Sequence, residues 1–236
     1  MATLYVVATP IGNLEDITLR ALRILSEVEV IVAEDTRVTK KLLRKYEIKA
    51  SLESYSNKDI KYKTVKVLGY LENHDVALVT DAGTPAISDP GKELVDQAIT
   101  RGFNVVSVPG ASSLTASASI SGLDLSKFLY LGFLPSRSVA RRKALLAVTN
   151  STYPLVIFES PHRLKNCLAD MRVILGDRLL VICRELTKVH EEIFRGHITE
   201  AEKYFVNPIG EFTLIIQNKV DDKFADIDQG ALNVAD

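Results

Sequence analysis

The segment TDAGTPAISDPG (80–91) concentrates groups that hold small polar ligands. Asp81 and Asp89 can accept hydrogens from an amine or a hydroxyl, and Thr84 and Ser88 add hydroxyls of their own. Gly83 lets a ligand come against the backbone. A plain surface turn takes about two to five residues, and this stretch is roughly twice as long, which marks a binding loop. Two shorter segments have the same character. ATPIGNL (8–14) carries Pro10 and Gly12. VPGASS (108–113) sets Gly110 before a helix start at Ser112 or Ser113, where free N–H groups suit a carboxylate or another anion. Either of these alone reads as an ordinary strand-to-helix turn.

A second kind of chemistry stands in FESPHR (158–163) and RELTKVHEE (184–192). Glu159, His162, Arg163, Arg184, Glu185, Lys188 and Glu191 can move protons or pair with anions. Surface ion pairs are the plain alternative, and they contribute little. Each cluster follows an apolar run, however, and binding residues concentrate on loops that a scaffold holds.

Alternating strands and helices must position these loops. LYVVA (4–8), VEVIVA (28–33), DVALVT (75–80) and NVVSVP (104–109) read as strands. Helical spacing covers 15–27, 35–46, 57–72, 91–101 and 112–121, with Asp35 or Thr36 opening the second of these. This order implies a parallel sheet with both faces covered. The pattern restarts with strands at 128–134, 154–160, 178–185, 191–198 and 211–219, and helices at 138–148, 161–175 and 199–205. The turn-rich SGLDLSK (121–127) divides an N-terminal α/β domain (1–122) from a C-terminal one (127–219), and the polar stretch 220–236 reads as a frayed tail.

Composition sets the limits. The chain has 236 residues, 47% of them hydrophobic, so wholesale disorder is excluded. Its 29 Lys+Arg against 30 Asp+Glu leave a net charge of −1, which argues against a polybasic binder but not against a local basic face. Cys167 and Cys183 are too few for a disulfide framework or a cysteine-rich zinc module, and both read as buried thiols. No secretory signal opens the chain, and no run approaches the roughly 18 apolar residues of a membrane span. His74, His162, His190 and His197 lack zinc-helix spacing, and no carboxylate cluster suggests magnesium, so no metal is expected. The dinucleotide fingerprint, the P-loop and the nucleophile elbow are all absent.

Basic residues nonetheless cluster at Arg137, Arg141, Arg142 and Lys143, at Lys40, Lys41, Arg44 and Lys45, and at Lys58, Lys61, Lys63 and Lys66. Each alone is an ordinary solvated helix face; together they suggest an RNA track, with the 137–143 cluster weighted most because it adjoins LGFLP.

ATPIGNL, AEDTR (33–37), TDAGTPAISDPG, VPGASS, LGFLPSR (131–137), FESPHR and RELTKVHEE, in this order, resemble the bacterial 16S ribosomal RNA (cytidine-2'-O)-methyltransferase family, a branch of the tetrapyrrole-methylase-like methyltransferases. The resemblance spans about residues 4–217. It implies two α/β domains with mostly parallel or mixed sheets, S-adenosylmethionine (SAM) in a cleft between them, no metal, and a cytoplasmic homodimer. It further implies 2'-O-methylation of a decoding-centre cytidine, with 16S rRNA or the small subunit as partner. Cofactor contacts are expected from Pro10, Gly12, Asp81, Ala82, Gly83, Thr84, Ser88, Ala111, Ser112, Ser113 and Glu159. RNA contacts are expected from Arg137, Arg141, Arg142, Lys143, His162 and Arg163. Lys188, Glu185 and Glu191 are the candidates for taking the hydroxyl proton, with Asp89 behind them; a lysine can do so only with a depressed pKa. A tetrapyrrole C-methyltransferase sharing fold and cofactor, and a non-catalytic RNA-binding module, are the alternatives.

Overall fold

Short β-branched and aliphatic runs bounded by turn residues have one stable outlet, which is lateral pairing into a sheet covered by amphipathic helices. The computed structural model describes residues 2–56 and 58–218, so the expected tail at 220–236 lies outside the described residues. Contacts divide the chain into two units, the first ending at Ser113 and the second beginning at Leu114.

The first unit contains β1 (Thr3–Val7), α1 (Leu19–Glu27), β2 (Val30–Ala33), α2 (Thr36–Lys45), β3 (Ser51–Ser54), α3 (Ile60–Leu71), β4 (Val76–Val79), α4 (Lys92–Thr100) and β5 (Asn104–Val108). Its strands are all parallel, in the order β3-β2-β4-β1-β5. Alternate residues of the strands enter opposite layers. Val7, Ile31, Ala33, Ala77 and Val79 pack with Leu25, Leu42 and Leu43 of α1 and α2. Leu4, Val30, Val32, Val76 and Leu78 pack with Leu68, Leu71 and Leu94 of α3 and α4. Both faces are therefore dry, and this is why VIVA and VALV are unbroken apolar runs. The edge strand β3 had no place in the sequence reading. Its residues SLES lack an apolar pattern, and it forms through backbone pairing with β2.

The second unit contains α5 (Ser113–Ile120), which begins at the division, then β6 (Leu129–Phe133), α6 (Ser138–Val148), β7 (Leu155–Glu159), α7 (Pro161–Leu175), β8 (Leu179–Arg184), β9 (Glu192–His197), α8 (Ile198–Tyr204) and β10 (Phe212–Ile216). The turn-rich 121–127 segment joins α5 to β6. The sheet order is β6-β7-β10-β8-β9, and only β6 and β7 run parallel. Leu145, Leu164, Leu168, Met171, Ile198 and Phe205 close one face over Leu155, Ile157, Ile182 and Leu214. Proline at the first position of α7 needs no N–H there, so Pro161 starts this helix at no hydrogen-bond cost. One parallel and one mixed sheet is the fold class the motifs implied.

Candidate active site

In a parallel sheet every strand ends on the same edge, and ligands bind where neighbouring strands send their helices to opposite faces. Here β1 and β4 are such neighbours: α1 lies on one face and α4 on the other. The loops after these strands meet at that point. Thr9 N–H donates to the Gly83 carbonyl (2.9 Å) and Gly83 N–H donates back to Thr9 (3.1 Å). Thr9 Oγ1 also donates to the Thr80 carbonyl at 3.0 Å. Thr84 Oγ1 reaches the Ala111 carbonyl at 3.5 Å, which brings in the loop after β5. Gly83 has φ +85, and a Cβ there would stand 3.3 Å from Ile11 Cγ2 and 3.6 Å from the Ala111 carbonyl oxygen. The structure thus brings Pro10, Asp81, Ala82, Gly83, Thr84 and Ala111 into one neighbourhood. Pro10 is buried, and Gly12 and Ser88 are exposed farther out on their loops. Ser112 and Ser113 stand half-buried at the start of α5.

Two acidic residues of AEDTR join this site, Glu34 with no role expected from sequence and Asp35 expected only as a helix cap. Thr80 Oγ1 donates to Glu34 at 2.7 Å, and the Asp35 N–H donates to Asp81 Oδ1 at 3.0 Å. Their position at the end of β2 was the available signal, and the pairing of β2 with β4 makes the contact. Partial burial raises the Asp81 pKa, and the negative charges of Glu34 and Asp35 add to it while the Asp35 N–H opposes. Arg37, hydrogen-bonded to Asp35, holds that carboxyl at about 2. The result is a net acidic spot at the strand ends, suited to a cation that also offers hydroxyls.

In the second unit several expectations are corrected. Arg141 was expected on RNA but is 3% exposed. Its Nε donates to Asp170 at 2.8 Å and its Nη1 to the Ser136 carbonyl at 3.0 Å. Arg142 Nε donates to the other Asp170 oxygen at 2.6 Å and Ser138 Oγ adds a bond at 2.9 Å. Burial pushes the Asp170 pKa up, but these three partners outweigh it and hold the carboxyl below its usual range. Arg141 is a structural cation, and Arg142 is half-committed to the same carboxylate. Arg137 and Lys143 remain exposed.

Glu159 was expected at the cofactor, yet its side chain is wholly buried, with Oε1 3.1 Å from Arg163 Nε. It also accepts the Ser160 N–H at 2.9 Å, leaving no face open to a ligand. Arg163 is largely spent here too, because its Nη2 donates to the Leu134 carbonyl. His162 is exposed, with Nε2 3.4 Å from Ser160 Oγ. Cys167 and Cys183 are buried, and loss of solvation raises both thiols, Cys183 to about 11.

RELTKVHEE forms a tightly bonded loop after β8. Glu185 Oε1 accepts Lys188 Nζ at 2.8 Å and the Glu211 N–H at 2.9 Å. Lys188 Nζ also donates to Glu211 Oε2 at 2.8 Å, and Glu191 accepts the Thr187 N–H. Burial lowers the Lys188 pKa, but its bonds to Glu185 and Glu211 reverse this and raise it. The depressed pKa that a lysine base needs is therefore missing. Burial raises Glu185, and Lys188 together with the Glu211 N–H more than offsets this, so Glu185 stays ionised. Glu211 escaped the sequence reading because nothing local marks it. Among the described residues no group of three or more His, Cys, Asp or Glu side chains is placed to hold a metal, and no helix is long and apolar enough to cross a membrane.

Comparison with known proteins places the chain in a family and a fold. The sequence profile of the Tetrapyrrole (Corrin/Porphyrin) Methylases matches residues 3–202. The ribosomal RNA small subunit methyltransferase I of Thermotoga maritima is 47% identical over 222 residues, covering 93% of this chain and 100% of that one. The protein of the same name from Halalkalibacterium halodurans is 48% identical over 219 residues, covering 91% of this chain and 75% of that one. Among solved structures, the methyltransferase CobJ superposes with a TM-score of 0.71 at 17% identity, over 94% of this chain and 98% of that one, a likeness that shows the fold alone. A chain matched from its first strand into its last helix, and aligned with the whole of a relative at nearly half identity, belongs to the tetrapyrrole (corrin/porphyrin) methylase family, in the branch named ribosomal RNA small subunit methyltransferase I.

Proposed function

We propose that this chain moves the methyl group of SAM to the 2'-hydroxyl of a decoding-centre cytidine in small-subunit ribosomal RNA, in the cytoplasm. The reading is carried by the end-to-end match with a relative named for that RNA, in a chain whose ligand-type loops converge at the β1/β4 switch point. The residues present fit SAM. Glu34 and Asp81 would offer carboxylates to its ammonium and ribose hydroxyls, beside the paired Thr9 and Gly83 loops. When bound, SAM supplies an electrophilic methyl beside a positive sulfur.

The loops around Thr9 and Gly83 hold a ligand in one pose, and such positioning can contribute ~7–11 kcal/mol. In the second unit, Lys188 stays protonated between Glu185 and Glu211. Its ammonium stabilises the negative charge that builds on the ribose oxygen while solvent water takes the hydroxyl proton. Lys188 therefore acts by charge and position rather than as a base.

Mass mapping of small-subunit rRNA from cells with and without the gene tests the function. One cytidine fragment is expected to lose one methyl when the gene is removed. An unchanged methylation map sinks the reading. Lys188→Ala is expected to slow single-turnover methyl transfer at least tenfold, with SAM affinity near that of wild type. Lys188 and its carboxylate partner Glu185 both stay charged at neutral pH, so the loss is expected to be equal at pH 7 and pH 9. Recovery at pH 9 would instead assign Lys188 the base role.

A further inference from the structure

We infer that the outward face of α2 is the surface by which the first unit grips the phosphate backbone of its RNA. The inference rests on the function proposed above. Thr39, Leu42 and Leu43 turn inward, so Lys40, Lys41, Arg44 and Lys45 share the solvent side. The helix TRVTKKLLRK contains no acidic residue. Ion pairing among the described residues takes Arg37 to Asp35 and leaves these other cations without a bridge, Lys41 acting on Asp35 only at a distance.

The other basic clusters differ. On α6, Asp170 binds both Arg141 and Arg142. On α3, Lys66 pairs with Glu53 at 2.7 Å and Lys63 bonds Ser56 at 2.8 Å. The structure thus moves the best phosphate-binding surface from α6 to α2.

Two further observations favour a polyanion. Like charges three and four residues apart destabilise a helix, and a phosphate row relieves that repulsion. Favourable interaction with the helix C-terminus accounts for Arg44 and Lys45 in the last turn but not for Lys40 and Lys41. The stripe also starts beside the candidate site, because the Asp35 cap of α2 donates its N–H to Asp81. The two rungs, Lys40 with Lys41 and Arg44 with Lys45, lie about 6 Å apart along the axis and lead away from the loops.

The test measures binding of a small-subunit rRNA transcript between 50 and 200 mM salt. The variant Lys40→Ala/Lys41→Ala/Arg44→Ala/Lys45→Ala keeps helix-favouring residues. Its log–log salt slope is expected to fall by about 3–4 units, from roughly 0.7–0.9 per lost contact. A control removing the exposed cations Arg101, Lys127, Lys165 and Lys203 makes the same charge change and is expected to keep the wild-type slope. Replacing Lys40, Lys41 and Lys45 with Arg is expected to retain affinity. An unchanged slope in the alanine variant, or an equal fall in the control, overturns the inference. So does a loss seen on assembled subunits but not on naked RNA, which assigns α2 to an acidic protein surface. Wild-type protein that methylates neither RNA nor subunits locates the failure in the proposed function itself.

Discussion

Asp170→Ala is expected to destabilise the protein by about 3–5 kcal/mol, the cost of leaving a buried charge without its partner. Arg141 has 3% of its side chain exposed, and water cannot replace the carboxylate it loses. Arg142 and Ser138 lose the same acceptor. Denaturant unfolding measures the loss, and a midpoint equal to wild type would show that the pair holds nothing together. A double variant with Met at 141 and Leu at 170 should recover most of the stability, because apolar replacement removes the desolvation cost with the pair. The effect also has a pH sign. The folded-state pKa of Asp170 is depressed, so its contribution is fully present above the unfolded value of about 4. It is lost as pH falls through the lower folded value. Acid unfolding of wild type should therefore converge on that of Asp170→Ala below that range.

Gly83→Val is expected to weaken SAM binding by on the order of a hundredfold or more and to cost about 1–3 kcal/mol of stability. A β-branched residue at φ +85 is strained wherever it stands, so this substitution is not neutral to the fold. Its side chain would also press on Ile11 and the Ala111 carbonyl, displacing two loops at once. The bonds exchanged by Gly83 and Thr9 tie those loops together. Gly102→Val separates strain from binding. Gly102 has φ +82 but nothing within 4 Å of an added Cβ. It should lose similar stability and keep wild-type SAM affinity by titration calorimetry. Equal SAM affinity in folded Gly83→Val and wild type would move the cofactor away from this loop.

Much of the scaffold was legible because strand and helix signals are local. The apolar runs at 4–8 and 75–80 and the helix at 161–175 need only a few neighbouring residues to declare themselves. The loops 80–91 and 108–113 were legible for the same reason, and their place at strand ends follows from a parallel sheet. The edge strand β3 was not legible, because SLES owes its conformation to the backbone of β2 rather than to its own side chains.

What the charged residues do was decided only by tertiary structure. Sequence alone placed Arg141 and Lys188 among functional groups, and it could not show that Asp170 stands against one and Glu211 against the other. It listed AEDTR among the motifs without showing that Glu34 and Asp35 would meet Thr80 and Asp81. A side chain's type fixes what it can donate or accept. Whether it is solvated, paired or free to meet a ligand depends on groups that lie far along the chain and near in space, and burial makes those partners decisive.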